Sequence, residues 1–430
     1  MKMKILSTNS NFTREPLAQP MGFKGAYLSE LWQSVARIST SDYSGIGVGV
    51  QSILWSDSSV FMRTSQAAGN AYMFAMSDYA LKLLEGMDFQ DPFVMLDEIF
   101  PSVYEYGKRI TNCSELRKTF ALNSLVCVDN AAWHLYAQMH NEHDFMKLVP
   151  ESMQLPLAGR QKKLCSIPLV TYGMDISEVR KLVLQGHFFL KIKIGSDPDK
   201  DGSYEKMLAW DKKRIFEIHE AVKDFKTPYT VSGHIPYYLD ANGRYDSKER
   251  LMELLEYADK IGALERIAIL EEPFSEDFQE DVSDIPVRIA ADESAHSDVD
   301  AICRIEQGYG AIALKPIAKT MTMSLKVLSE AHKRKIPCFC ADLTVNPLLV
   351  DFNKNVASRI DPLPGFKVGV IESNGPQNYA NWEQMKTYHP MYSKAQFITP
   401  QNGMFEIDNL FYETSGGIFN QIPHYRNMVE

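Results

Sequence analysis

The sequence is poor in three things. It has no Cys-x-x-Cys pair. Its six cysteines, Cys113, Cys127, Cys165, Cys303, Cys338 and Cys340, are scattered through apolar stretches, which argues against a zinc ribbon or a thioredoxin-type redox site. Cys338 and Cys340 alternate in a strand-like run and read as buried apolar residues. It has no excess of positive charge: 45 Lys and Arg stand against 55 Asp and Glu, for a net charge of −10. Nucleic-acid grooves and anionic membranes select basic patches, so neither is expected as a partner. Finally, no apolar run approaches the ~18 residues of a membrane span. Met1–Ser10 carries too few apolar residues for a signal peptide, so a cytoplasmic location is expected.

What remains is the composition of an ordinary globular protein: 430 residues, 45% apolar, 23% charged and 11% aromatic. At ~150 residues per domain the length predicts two to three domains, or a large barrel with an addition. Three zones differ in pattern. Residues 1–160 mix strands and helices irregularly: Val35–Ile38 and Gly47–Leu54 read as strands of a meander with Gly45, Gly47 and Gly49 at its turn, and Asn70–Glu85 and Leu116–Gln138 as helices. The tract Gly45-Ile-Gly-Val-Gly has the wrong spacing for a dinucleotide fingerprint and opens no helix. Residues 161–374 alternate short apolar runs with amphipathic segments, about eight strands in all, as in a parallel (β/α) barrel. Residues 375–430 show no such alternation and are expected to return to the first zone.

Barrel enzymes place their chemistry at the carboxyl ends of strands, and here nearly every such end is charged. Lys191 and Lys193 stand at i, i+2 in Leu-Lys-Ile-Lys-Ile-Gly, so period two puts both on one strand face. Asp240, Glu271, Asp292 and Lys315 end later strands. Three carboxylates at one mouth repel one another, and a hard divalent cation with oxygen ligands resolves this. The lysines then fit removal of a proton next to a carboxylate, a weak acid whose conjugate base needs nearby positive charge. Clustered cations are expected to bring one lysine down toward neutrality as a base. Lys193 on the second strand and Lys315 on the sixth come from opposite sides of the barrel, as inversion of a stereocentre requires.

These motifs, Lys-Ile-Lys-Ile-Gly, Asp-Ala-Asn-Gly-Arg-Tyr, Leu-Glu-Glu-Pro-Phe, Ala-Asp-Glu-Ser and Ile-Ala-Leu-Lys-Pro, resemble in order and spacing those of the enolase superfamily. The match is to its muconate-lactonizing branch (the mandelate racemase/muconate lactonizing enzyme family), which includes dipeptide epimerases such as L-Ala-D/L-Glu epimerase and o-succinylbenzoate synthases. The resemblance implies a (β/α)7β modified TIM barrel, an α/β fold, under an α+β capping domain built from both termini. It implies one Mg²⁺ per subunit, with Mn²⁺ as a substitute, on Asp240, Glu271 and Asp292. Lys193 and Lys315 would be the acid/base pair, with Lys191 polarising the enolate or steadying Lys193. Asn242, Glu272 and Glu293 would support the ligands from behind. A small-molecule carboxylate substrate and a homo-oligomer are further expectations.

The chain also departs from the pattern. Where the branch shows Lys-Thr-Gly-Gly after the sixth strand, this sequence runs Lys315-Pro-Ile-Ala-Lys-Thr-Met-Thr. Where dipeptide epimerases carry Asp-x-Asp, it has Ile371-Glu-Ser-Asn. Glu372 is read as a substrate contact, as in mandelate racemase relatives, or as structural. Asp342 is read as a substrate contact or a helix N-cap. Met21-Gly-Phe-Lys-Gly and the loop Ser41–Gly49 are candidates for the lid that excludes water and chooses the substrate, with Trp55 part of it and Lys24 a substrate contact. His296 is read as a surface residue at a helix start. The expected activity is Mg²⁺-dependent abstraction of an α proton by a racemase or epimerase. The alternatives are a dehydratase or cycloisomerase of the same superfamily (acid-sugar dehydratase, o-succinylbenzoate synthase-like), a Schiff-base barrel using Lys315, and a barrel that only binds a ligand.

Overall fold

The computed structural model describes residues 2–23 and 26–430. The amino-terminal part pairs three antiparallel strands, Ser7–Phe23, Ala26–Ser39 and Ser44–Gln51. They pack on a bundle whose central helix, Lys118–His140, is flanked by Gln66–Leu84 and Pro92–Thr111. Gly45, Gly47 and Gly49 do not lie at the turn expected from the sequence. They sit inside the third strand, on alternate positions that face the central helix. A Cβ on Gly47 would come within 2.1 Å of Ala131 N and Cys127 O, and one on Gly45 within 2.0 Å of Ala131 O. The tract is glycine so that a helix can lie directly on the sheet backbone.

The barrel strands run Lys163–Ile167 with Leu169–Val170, then Leu190–Lys193, Tyr237–Asp240, Ile267–Glu271, Ile289–Ala291, Ala311–Leu314, Cys338–Cys340 and Gly369–Glu372. All pair in parallel. The first strand is divided at Pro168, which has no N–H to give to a ladder. Its lower half pairs with the eighth strand and its upper half with the second, and this closes the ring. Helices follow every strand but the fourth, those after the eighth being the short Gly375–Asn378 and Trp382–Lys386; residues 272–288, between the fourth and fifth, are irregular. The helices after the second, third, fifth, sixth and seventh strands start at side-chain caps, Ser203, Ser247, Ser297, Thr320 and Asn346, the fullest being the reciprocal box between Ser297 and Asp300.

The carboxyl-terminal segment does more than return to the cap. Met404–Glu406 adds an antiparallel strand to the lower half of the first barrel strand. Helix Pro347–Ala357 is buried at every position because this segment covers its outer face. There Asp351 binds Lys354 and His389, at 2.6 and 2.7 Å. It meets the cap at its ends, where Tyr379 bridges Leu17 and Pro423–Val429 packs on the amino-terminal sheet, with Asn9 and Asn11 donating to Val429 O and Met428 O, and in its middle, where Ser415 Oγ accepts from Phe145 N and donates to His143 O. No helix among the described residues is long and apolar enough to cross a membrane.

Candidate active site

Strand register sets the charged groups level. Lys193 pairs with Asp240, and Asp240 with Glu271. Lys191 and Tyr238 pair one layer lower. The Lys191 ammonium lies 3.0 Å from Asp240 Oδ2, 2.9 Å from Glu271 Oε1 and 3.2 Å from Glu372 Oε2. Lys193 donates to Asp240 Oδ2 at 2.6 Å and to Asn242 Oδ1, and is the most open of these lysines at 20% exposure. Lys315 is buried; it donates to Asp292 Oδ2 and lies 4.3 Å from the centre of the Trp55 ring.

Burial penalises every charge here, and the neighbours decide the outcome. Three carboxylates outweigh burial at Lys191 and push it well above the ordinary lysine range. Lys315 is raised by Asp292 against the same penalty. Asp240, although buried, is held well below the carboxylate range by Lys191 and Lys193. Glu271 is pushed well up by burial and by Asp240 and Asp292.

The carboxylates of Glu271, Asp292 and Glu293 offer oxygens within 4.8 Å of one another. Glu293 Oε1 accepts from Asn242, while its buried Oε2 has no partner among the described residues. A set of hard oxygen donors with one unsatisfied buried oxygen fits a divalent cation such as Mg²⁺. Asp240 stands beside this cluster and is joined to Glu271 through Lys191. Glu272 faces the other way. It accepts from Asp292 N, Ser294 N and Ser294 Oγ at 2.6–2.9 Å, and burial beside Glu293 raises its carboxyl to about 7.

Glu372 and Asp342 form a second acidic pair. Glu372 Oε2 accepts from Asp342 N at 2.9 Å as well as from Lys191. Asp342 accepts from Leu343 N and Asn374 N, both at 2.7 Å, and burial beside Glu372 raises it to about 7. Asp342 thus caps turn backbone; the cap of the helix that follows is Asn346. Lys24 lies outside the described residues. His296 is mostly buried rather than on the surface, with Nε2 3.1 Å from Glu276 Oε2, and burial lowers it to about 3. Trp55 and Ser58 of the cap, with Asn242 and Glu293 of the barrel, line a crevice of about 350 Å³ at the mouth.

The sequence reading passed over two residues. Tyr238, two positions before Asp240 on the same strand face, donates to Glu271 Oε2 and lies beneath Lys191. Period two was the signal that could have found it. Lys319 is the other, with its ammonium 3.3 Å from Asp292 Oδ1.

Residues 175–361 match the family described as Enolase C-terminal domain-like. Comparison with curated protein sequences gives no match. Among solved structures, a mandelate racemase/muconate lactonizing protein from Herpetosiphon aurantiacus is 16% identical, with a TM-score of 0.64 over 95% of this chain and 97% of that one. The L-Ala-D/L-Glu epimerase from Bacillus subtilis is 17% identical (TM-score 0.62; 88% of this chain, 92% of that one). A dipeptide epimerase from Cytophaga hutchinsonii, solved with Mg and the dipeptide D-Ala-L-Val, is 20% identical (TM-score 0.62; 88% and 89%). At these identities the likeness establishes the fold.

Proposed function

We propose that this protein, whose residues 175–361 match the enolase C-terminal domain-like family and whose fold is like that of a mandelate racemase/muconate lactonizing protein, is a Mg²⁺-dependent racemase or epimerase of a small carboxylate. The observation that carries the reading is the pairing of two lysines, Lys193 and Lys315, from the second and sixth of eight strands, around one cluster of carboxylates. In this reading Asp240, Glu271 and Asp292 hold the cation, with Glu293 beside them. The cation supplies charge that stabilises the enolate. Lys193 takes the α proton from one face and Lys315 returns one to the other, or the reverse. Lys191, fixed by three carboxylates, places a permanent positive charge beside the reacting group. Trp55 closes the mouth over Lys315 and keeps water from that face.

A dipeptide is not the favoured substrate. The strand-eight carboxylate, Glu372, is already engaged by Lys191 and by Asp342 N rather than turned toward a substrate ammonium. A second reading, elimination or cycloisomerisation, is supported by the asymmetry between open Lys193 and enclosed Lys315, since a single exposed base suffices there.

The deciding experiment is incubation with MgCl₂ in D₂O across N-acyl amino acids, dipeptides and acid sugars, read by NMR. Deuterium at the α carbon with inversion supports a racemase, and deuterium with loss of water or ring formation supports the second reading. A covalent adduct trapped by borohydride, with no exchange, would overturn both.

A further inference from the structure

Lys319 is fully buried and has no part in the mechanism above. It belongs to the tight turn that follows the sixth strand, in which Ala318 N and Lys319 N both donate to Lys315 O, at 2.9 and 2.8 Å. That turn carries Lys315 and Lys319 on the same side, four residues apart, with the Asp292 carboxylate between them. Lys315 donates to Oδ2, and Lys319 lies 3.3 Å from Oδ1. The Lys319 ammonium also donates to two main-chain carbonyls, Asp292 O at 2.5 Å and Ala295 O at 3.0 Å. These are the two ends of the turn after the fifth strand, which holds Asp292 and Glu293. Above both ammonium groups lies the Trp55 ring, with centroid distances of 4.3 Å to Lys315 and 5.9 Å to Lys319.

We propose that Lys319 is a positioning residue: it clasps the turn after the fifth strand to the turn after the sixth, and so fixes the direction of Asp292 relative to Lys315. The inference rests on the functional reading above for its kinetic consequence, but not for its structural one. An ammonium group is suited to the task because it has three donors and no acceptor, and here each donor has an oxygen to meet. Residues one layer behind a metal ligand set its orientation, and their loss typically costs 10–100-fold in metal affinity or activity. The clasp also explains how the chain dispenses with the flexible Gly-Gly that its relatives show after this strand. The loop is held at Lys319 by the clasp and at the next residue, where Thr320 (φ 69°) caps the following helix through Met323 N.

The test uses the full-length protein and MgCl₂ alone in a calorimeter, then α-proton exchange. Lys319→Met keeps the apolar stem and removes the donors. It is expected to weaken Mg²⁺ binding by ~10–100-fold and to slow exchange from the enantiomer that faces Lys315 more than from the one that faces Lys193. A lysine that only filled space would shift both enantiomers equally. Lys319→Gln retains two N–H donors, folds more readily, and should recover most of the cation affinity. Wild-type Mg²⁺ affinity in Lys319→Met together with unchanged enantiomer preference, or a Lys319→Gln protein no better than Lys319→Met, would overturn the proposal. If the wild-type protein exchanges no substrate, the functional reading fails, yet the calorimetric comparison still decides the role of Lys319.

Discussion

Lys193 and Asp240 stand level on neighbouring parallel strands, with the ammonium 2.6 Å from Oδ2 of the carboxylate. The same oxygen is 3.0 Å from Lys191. One carboxylate oxygen therefore answers to two cations from one strand face, and Asp240 holds its charge despite complete burial because both cations are present. The barrel mouth is a lattice of shared oxygens in which no group can be altered without loading its neighbours.

The cation site should respond to single substitutions in a graded way. Asp240→Asn, Glu271→Gln and Asp292→Asn are each expected to abolish Mg²⁺ binding in calorimetric titration, whereas Glu293→Gln weakens it ~10–100-fold. Retention of the site in Asp240→Asn together with its loss in Glu293→Gln would move the third ligand from Asp240 to Glu293.

The two lysines should divide the labour by stereochemistry. Lys193→Ala is expected to stop α-proton exchange from one enantiomer and Lys315→Ala from the other, each by ~10²–10⁴-fold, the usual contribution of a general acid or base. Full exchange of both enantiomers by Lys315→Ala would leave Lys193 as the only base and favour elimination.

Gly47 should tolerate no side chain. With Ala131 N and Cys127 O both 2.1 Å from its would-be Cβ, Gly47→Ala must push the central cap helix off the sheet. Overpacking of this kind costs about 1–3 kcal/mol, to be read as a lower urea midpoint with an unchanged slope. An unaffected midpoint would mean that the helix can lift without penalty.

Asp129 should make stability fall with rising pH. Its carboxylate accepts from Thr322 N and Oγ1 across the cap–barrel seam, and burial raises it to about 7. A carboxyl raised on folding binds more protons in the native state between its unfolded value and about 7. Stability contributed by that proton is present at about pH 4 and is lost as the pH climbs to 7, with a one-proton slope of at most ~1.4 kcal/mol per pH unit. Urea titrations at pH 5 and pH 8 should show this difference, and Asp129→Asn should reduce it.

Much of the barrel was legible because its signal is local. A strand end that carries Glu271 or Lys315 after an apolar run announces itself within five residues, and the strands Ile267–Glu271 and Ala311–Leu314 end at or one residue before them. The glycines at 45, 47 and 49 were misplaced because the reason for them lies some 80 residues away, in a helix whose approach no window reveals. His296 looked exposed for the same reason: Glu276 and the cap bury it, and both are distant in sequence. Lys319 and Tyr238 were visible as spacings, four residues from Lys315 and two from Asp240, but spacing alone does not say which oxygens a side chain will meet.

The divided first strand bears on how the molecule comes to exist. Lys163–Ile167 finds its parallel neighbour at Gly369–Glu372 and its antiparallel neighbour at Met404–Glu406, more than 200 residues later. During synthesis the ring therefore stays open until Gly369–Glu372 has left the ribosome, and the amino-terminal sheet waits still longer for Pro423–Val429. Closure of such distant contacts is slow. The unfinished edges of Lys163–Ile167 are bare through that interval, so the nascent chain is most exposed to misassociation at its first barrel strand.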